Sequence, residues 1–442
     1  MGIAEKVRGM FTKKESSWIM YDWANSVYAT NMLAVLFPIY FGIACKAEGI
    51  NNLVLWSYGT SAATFIVAIL APILGSMADH KGYKKKLFSV FLVLGVLFTF
   101  ISALSNQYQM LLIGYVISHI GFSGANLFYD SFLTDVTEPK RMDKVSTWGY
   151  AMGYVGGSTI AFLISIAILM GMGMENPNAY QVVVVLTSIW WLLFSIPMLK
   201  NVKQVHYIEK PASGLIRSTF SNLGKTAKNI FSQKHLLLFI LAYFFYIDGV
   251  GTVISISTSY GTKLGLDSIG MIFALLLTQL VAVPFSIWFG KLSEKFGSIK
   301  VLTGAVCVYI VVCIVGFFMG FIIEQKPGDE SARQLSLVLF WSMAFLVGTV
   351  QGGIQAISRS YFGRLIPPER SNEYFGFFDI FGKFAAVIGP FLIATFSRLT
   401  GRDSIGIISL LVLFIIGFAI LLGGRKTFEK AEARLAAKNE DA

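Results

Sequence analysis

Apolar blocks of 18 to 27 residues recur along the whole chain, separated by short charged or glycine-containing turns. The pattern predicts twelve helical spans, at 18–44, 53–78, 87–104, 109–131, 146–172, 180–199, 235–260, 268–290, 300–323, 335–358, 373–397 and 403–423. A helix of about 20 residues crosses the ~30 Å hydrocarbon layer of a bilayer. Apolar character runs right round each block, whereas a barrel strand would alternate over about ten residues. The fold class expected is therefore an all-α membrane protein. The first block follows a basic stretch ending in Lys13-Lys14-Glu15 and lacks a small-residue cleavage site, so it reads as a spanning helix and not a removable signal.

Composition agrees: 55% of residues are hydrophobic, only 14% are charged, and the mean hydropathy is +0.66. The net charge of +11 raises the question of nucleic acid, and its distribution answers it. With the N-terminus in the cytoplasm, 29 of the 36 lysines and arginines fall on the cytoplasmic side, six fall outside, and Lys383 alone lies within a span. That is the positive-inside pattern, which places both termini in the cytoplasm and the excess charge against anionic headgroups. No nucleic-acid partner is expected. The compact loops favour a bacterial cytoplasmic membrane.

Cys45, Cys307 and Cys313 sit in or beside apolar blocks without metal-ligand or disulfide spacing, so no metal and no cofactor are expected. No phosphate-binding loop supports an ATP-driven pump, and no nucleophile–histidine motif supports an enzyme.

The longest inside loop, 200–234, divides the chain into an N-terminal six-helix bundle (1–199) and a C-terminal one (235–423), followed by a tail (424–442) expected at the membrane surface or in solution. The halves echo each other. Gly75, Asp79 and Gly82 after span two match Gly290, Glu294 and Gly297 after span eight, 215 residues on. Pro139, Arg141 and Gly153 match Pro368, Arg370 and Gly382 at an offset of 229. Ordered echoes of this kind imply a duplicated unit, an architecture common in carriers.

The Gly-x-x-x-Asp-x-x-Gly-x-Lys-Lys loop and its repeat resemble the major facilitator superfamily over nearly the whole chain. Three stretches are similar to its branch of fungal vacuolar amino-acid effluxers and their bacterial relatives: Tyr21 to Ser26, Gly352 to Ser360, and Phe375 to Lys383. The resemblance implies a secondary transporter of two pseudo-symmetric bundles. It would move a small-molecule solute, an amino acid or other zwitterion, by alternating access, with export and proton coupling as open options. A monomer in the lipid bilayer is expected. Sugars, nucleosides, lipids and drugs stay open as cargo, and a receptor without net flux is the alternative class. Tyr154 and Ile117 stand where drug–proton antiporters carry proline and arginine, which argues against that group.

Polar residues within spans are costly in lipid and mark protein or water contacts. His119, Ser123, Asn126 and Asp130 share one face of span four, and Asp248, Thr252, Ser255 and Ser259 one face of span seven. Gln351, Gln355 and Ser358 share a face of span ten, while Asp22, Asn25 and Ser26 lie on span one with Tyr28 on an adjacent face. The resemblance implies that these four spans line the central cavity. Asp379 and Lys383, four residues apart, form an expected acid–base pair on span eleven. The candidate substrate-binding residues are thus Asp22, Asn25, Tyr28, Asn126, Asp248, Gln355, Asp379 and Lys383. The candidate proton-coupling residues are Asp22, His119, Asp130, Asp248 and Asp379. The resemblance also implies a cytoplasmic latch built from Gly75, Asp79 and Gly82, with Gly290, Glu294 and Gly297 as its repeat. Glycines at 149, 153, 156 and 157 of span five suit either bending or close packing. Trp18, at a span end, is expected to anchor at the membrane interface.

Overall fold

The computed structural model describes residues 9–50, 52–209, 215–266, 268–385 and 387–440. Their regular structure is helical, and the sole β-type pairing is an isolated bridge between His80 and Ile208. Among the described residues, eleven helical stretches are long and apolar enough to cross a membrane. They correspond to every expected span except the eleventh. There the chain forms two helices, Ser371–Ala385 and Ile388–Thr400, where a continuous span was expected.

The chain divides into two compact units, one of Met1–Thr226 with Ile366–Ile380 and one of Ala227–Leu365 with Phe381–Ala442. The first part of the eleventh span thus packs with the N-terminal helices, although it follows them by more than a hundred residues.

In the first unit, span one (Lys13–Ala47) starts at a capping box. The Thr12 hydroxyl accepts from the Glu15 N–H at 3.2 Å, and the Glu15 carboxylate accepts from the Thr12 N–H at 2.8 Å. Two donors that a helix start leaves orphaned are satisfied in this way. Arg141 closes the same corner with charge-assisted bonds to both Glu15 oxygens, at 2.8 and 2.9 Å. Span one packs on span five (Pro139–Met172) and span six (Pro177–Asn201), and each of the first two carries one π-helical turn. The two turns meet: Thr30 in Ala29–Ala34 donates to Ser158 in Gly156–Ala161 at 3.0 Å. The span-five glycines serve this packing, since a side chain at 153, 156 or 157 would run into Ser26, Trp23 or the Val27 backbone.

In the second unit, span eight (Phe273–Phe296) and span nine (Ser298–Gln325) pack on span ten (Glu330–Leu365), and span seven (Lys234–Ser257) packs on span twelve (Asp403–Gly423). Tyr246, Tyr309 and Tyr361 are wholly buried there. The tail forms a helix, Arg425–Glu440, whose Phe428 is fully buried with its ring 6.2 Å from that of Tyr361. The tail is thus docked on its unit, where a membrane-surface or solvated segment was expected, because one aromatic gives the amphipathic stretch an apolar anchor.

Candidate functional site

Spans one and four run antiparallel, and their candidate residues meet in rungs. Asp22 accepts from the Tyr129 hydroxyl at 2.6 Å. One turn along, the Asn25 side-chain amide donates to Asn126 Oδ1 at 2.7 Å. A further turn along, the Tyr28 ring stacks on Phe122 at 4.6 Å and its hydroxyl shares a 2.8 Å hydrogen bond with Ser118. Asp22, Asn25 and Tyr28 are all buried. Steps of three residues on span one (22, 25, 28) and of three and four on span four (129, 126, 122) keep the rungs in step, because such positions share a helical face. Tyr28 therefore belongs to the same ladder, in spite of its offset on the helix.

Aromatic rings wall the ladder. Trp18 stacks on Tyr129 at 4.4 Å and donates its ring N–H to the Tyr129 carbonyl at 2.8 Å. It is fully buried, which corrects the expectation of an interface anchor: its polar edge has found a backbone acceptor inside the protein. His119 packs its ring 5.5 Å from Tyr115 on the same span, and Asp130 lies half-buried next to Tyr129 in the chain.

The second unit repeats one rung. Tyr246 on span seven and Ser358 on span ten share a 2.6 Å hydrogen bond, as Tyr28 and Ser118 do between spans one and four. Gln355, half-buried, donates to the Gln351 carbonyl on its own helix at 3.1 Å. Asp248 does not join this rung. Its carboxylate accepts from the Ile388 N–H at 3.1 Å and the Gly389 N–H at 3.0 Å, the first amides of Ile388–Thr400, and from the Thr252 hydroxyl at 3.2 Å. Asp379 is half-buried and packs with the first unit. The Lys383 side chain, half of the expected acid–base pair, lies outside the described residues.

At the end of span two, Asp79 is buried and holds the start of helix Ser371–Ala385. One carboxylate oxygen accepts from the Asn372 backbone and side-chain N–H groups, at 2.9 and 2.7 Å, and the other from the Glu373 N–H at 3.0 Å. A negative charge facing exposed helix amides is favourable. Burial nevertheless dominates and pushes the Asp79 carboxyl up to about 8, against the downward pull of the Asn372 bonds and Lys84. Gly75 lies against the Asn372 carbonyl so closely that any side chain there would collide with backbone. Gly82 and Gly297 both adopt left-handed backbone (φ 79° and 86°), the turn that the repeated motif requires. The acids differ: Asp79 is buried, whereas Glu294 and its neighbour Lys295 are exposed. Gly290 is buried within the last two turns of span eight.

By sequence Lys84 is one of several cytoplasmic cations. Its ammonium is in fact fully buried, 2.7 Å from Asp135, 3.0 Å from the Ser131 carbonyl and 3.1 Å from the Ser371 hydroxyl. The other Asp135 oxygen accepts the N–H groups of Val205 and His206, at 2.9 and 2.8 Å. The linker is strapped back on the loop as well: the Lys81 N–H reaches the Ile208 carbonyl at 3.1 Å, and the Gly82 N–H reaches Gln204 at 2.9 Å. An acid just beyond span four was the available signal for Asp135. Nothing in the pattern singled out one lysine among the four of residues 81–86.

Comparison with known proteins places these features in context. A family described as "Vacuole effluxer Atg22 like" matches residues 50–141 and 134–432. The MFS-type transporter YxiO of Bacillus subtilis (strain 168) is 46% identical over 421 residues, covering 93% of this chain and 94% of the relative. Autophagy-related protein 22 of Coccidioides immitis is 24% identical, covering 87% of this chain and 75% of the relative. Among solved structures, the human organic anion transporter MFSD10 (TETRAN) aligns with a TM-score of 0.69 at 15% identity, covering 92% of this chain and 99% of its own. The fucose:proton symporter of E. coli aligns with a TM-score of 0.64 at 16% identity, covering 92% and 97%.

Proposed function

The chain belongs to the Atg22-like vacuole effluxer family and is a multi-pass transporter of the major facilitator superfamily, not an enzyme; from that premise we propose that it carries amino acids or similar small zwitterions by alternating access. The transport runs outward across a bacterial cytoplasmic membrane and is coupled to protons.

The observation that carries this reading is the pair of rungs Asp22–Tyr129 and Asn25–Asn126. A carboxylate and two amides where spans one and four face each other match a zwitterion: the acid takes an ammonium, and an amide N–H takes a carboxylate. A net hydrogen bond is worth only about 0.5–1.5 kcal/mol. A solute that replaces a rung bond with its own therefore binds without leaving a polar group unsatisfied. Tyr28 and the surrounding aromatic rings add apolar walls. Gln355 on span ten, and Asp379 and Lys383 on span eleven, are further residues proposed to contact the solute.

Proton coupling draws on Asp22, His119, Asp130, Asp248 and Asp379, since a buried acid must be neutralised or paired at each stage of a cycle. The latch reading rests on Asp79. It pins the start of helix Ser371–Ala385 within the first unit, through Asn372 and Glu373. Gly75 and Gly82 make that contact possible, while the Gly290, Glu294 and Gly297 copy acts as a turn with a solvated acid.

The test is counterflow of labelled amino acids in proteoliposomes. Exchange that fails in Asn25→Ala and Asn126→Ala, in protein that still folds, supports the reading. A broad amino-acid panel that gives no exchange removes zwitterions as the cargo.

A further inference from the structure

The eleventh span is broken, and its second half begins on a side chain from another helix. Both oxygens of Asp248 are engaged by donors: Oδ2 by the Ile388 N–H at 3.1 Å, and Oδ1 by the Gly389 N–H at 3.0 Å and the Thr252 hydroxyl at 3.2 Å. Asp248 is 1% exposed. Gly389 makes the approach possible, because a Cβ there would collide with Thr252 Oγ1 and lie 2.9 Å from Asp248 Oδ1. Asp248 thus supplies, from span seven, the acceptors that a helix start normally finds in its own N-cap residue.

The groups facing Asp248 are few. Thr252 lies on its own helix, and Ile388 and Gly389 contribute only backbone amides. From span twelve, Phe414 packs on Gly249 next door. Among the described residues no charged side chain faces it, so the negative charge of Asp248 is balanced by helix amides and a hydroxyl.

We propose that Asp248 is a proton-responsive clamp on the second half of span eleven. It is a positioning residue that grips the Ile388 and Gly389 amides when ionised and frees the half-helix when protonated. An ionised carboxylate only accepts, and three donors fit it. A proton taken from water on one carboxyl oxygen turns that oxygen into a donor, so one backbone N–H loses its charged acceptor and the half-helix start is loosened. The proton leaves by the reverse step when the amides re-engage. Ile388–Thr400 then shifts against span seven, which turns protonation into movement of a membrane helix. The proposal deepens the proton-coupled reading by giving one of its acids a mechanical role, and its test does not depend on knowing the cargo.

The test is amide hydrogen exchange of the full chain in lipid nanodiscs at pH 5 and pH 8, corrected for intrinsic rates, in the wild type and in Asp248→Asn. The wild type should protect Ile388 and Gly389 at pH 8 and lose at least about tenfold of that protection at pH 5, because charge-assisted bonds are the stronger ones. Asp248→Asn should be weakly protected at both pH values, with span nine unchanged as an internal control. Equal wild-type protection at the two pH values overturns the proposal, as does Asp248→Asn with wild-type protection. If the variant does not fold, the wild-type pair of measurements still decides. A clamp that opens with acid in a protein whose flux ignores the pH gradient leaves the clamp standing and removes proton-coupled transport.

Discussion

Asn25 and Asn126, 101 residues apart in the chain, are joined by a 2.7 Å amide–amide hydrogen bond that ties span one to span four. Removing Asn126 leaves the buried Asn25 amide without its bond, a loss of about 1–3 kcal/mol, and removing Asn25 does the same to the half-buried Asn126 amide at smaller cost. Asn25→Ala and Asn126→Ala should each lower the unfolding temperature in detergent, and the double variant should cost less than the two effects added. Flux should fall about tenfold in each single variant, the factor that ~1.4 kcal/mol represents.

The buried Lys84–Asp135 pair should be far more sensitive to half-removal than to complete replacement. Lys84→Met alone leaves Asp135 ionised in a buried site, a loss of about 3–5 kcal/mol. Lys84→Met combined with Asp135→Leu should recover much of it, as read by thermal unfolding. Equal losses in the single and double variants would mean that the charges are not coupled.

Asp79 gives a pH dependence with a definite sign. Its carboxyl is raised by burial from 3.8 to about 8, so between these values the folded state binds more proton than the unfolded one. Stability therefore falls as pH rises through that window and levels off above it. The wild-type unfolding temperature should decline from pH 5 to pH 8, and Asp79→Asn should flatten that slope. Glu373, whose N–H donates to Asp79, is present in both proteins, so the comparison with the variant isolates the part of Asp79.

Gly75 tests the same corner without changing charge. Gly75→Val would drive a side chain into the Asn372 backbone, so it should separate the span-two end from the start of helix Ser371–Ala385. A loss of about 1–3 kcal/mol is expected, as for overpacking in a core. Amide exchange at residues 371–374 should accelerate in this variant, while the Asp248-bound amides at 388 and 389 should not respond.

Much of the architecture could be read from hydropathy, since a bilayer forces each crossing into one apolar block. The stripe of Asn126 and Asp130 on span four and that of Asp22 and Asn25 on span one could likewise be read from helical spacing. Their pairing could not, because spacing names a face and not the helix it meets. Tyr129, which completes the Asp22 rung, looked like one more aromatic in an apolar run. The break in span eleven was hidden for a related reason. The N-cap residue of the second half-helix, Val387, makes no side-chain capping bond, and Asp248, about 140 positions earlier, supplies the acceptors in its place. Lys84 was obscured by its neighbours: four lysines in six residues satisfy the positive-inside rule equally well, and only packing selects the one that is buried.

The paired polar residues of spans one and four are proposed to bind a zwitterion for transport. Counterflow of a labelled amino-acid pool in proteoliposomes, with and without a pH gradient, measures it most directly when wild type is run beside Asn126→Ala and Lys383→Ala. The wild type should exchange, the gradient should accelerate it, and both variants should lose at least about tenfold. Exchange that is equal in all three proteins would contradict the proposal, and so would a folded wild type that exchanges no amino acid at all.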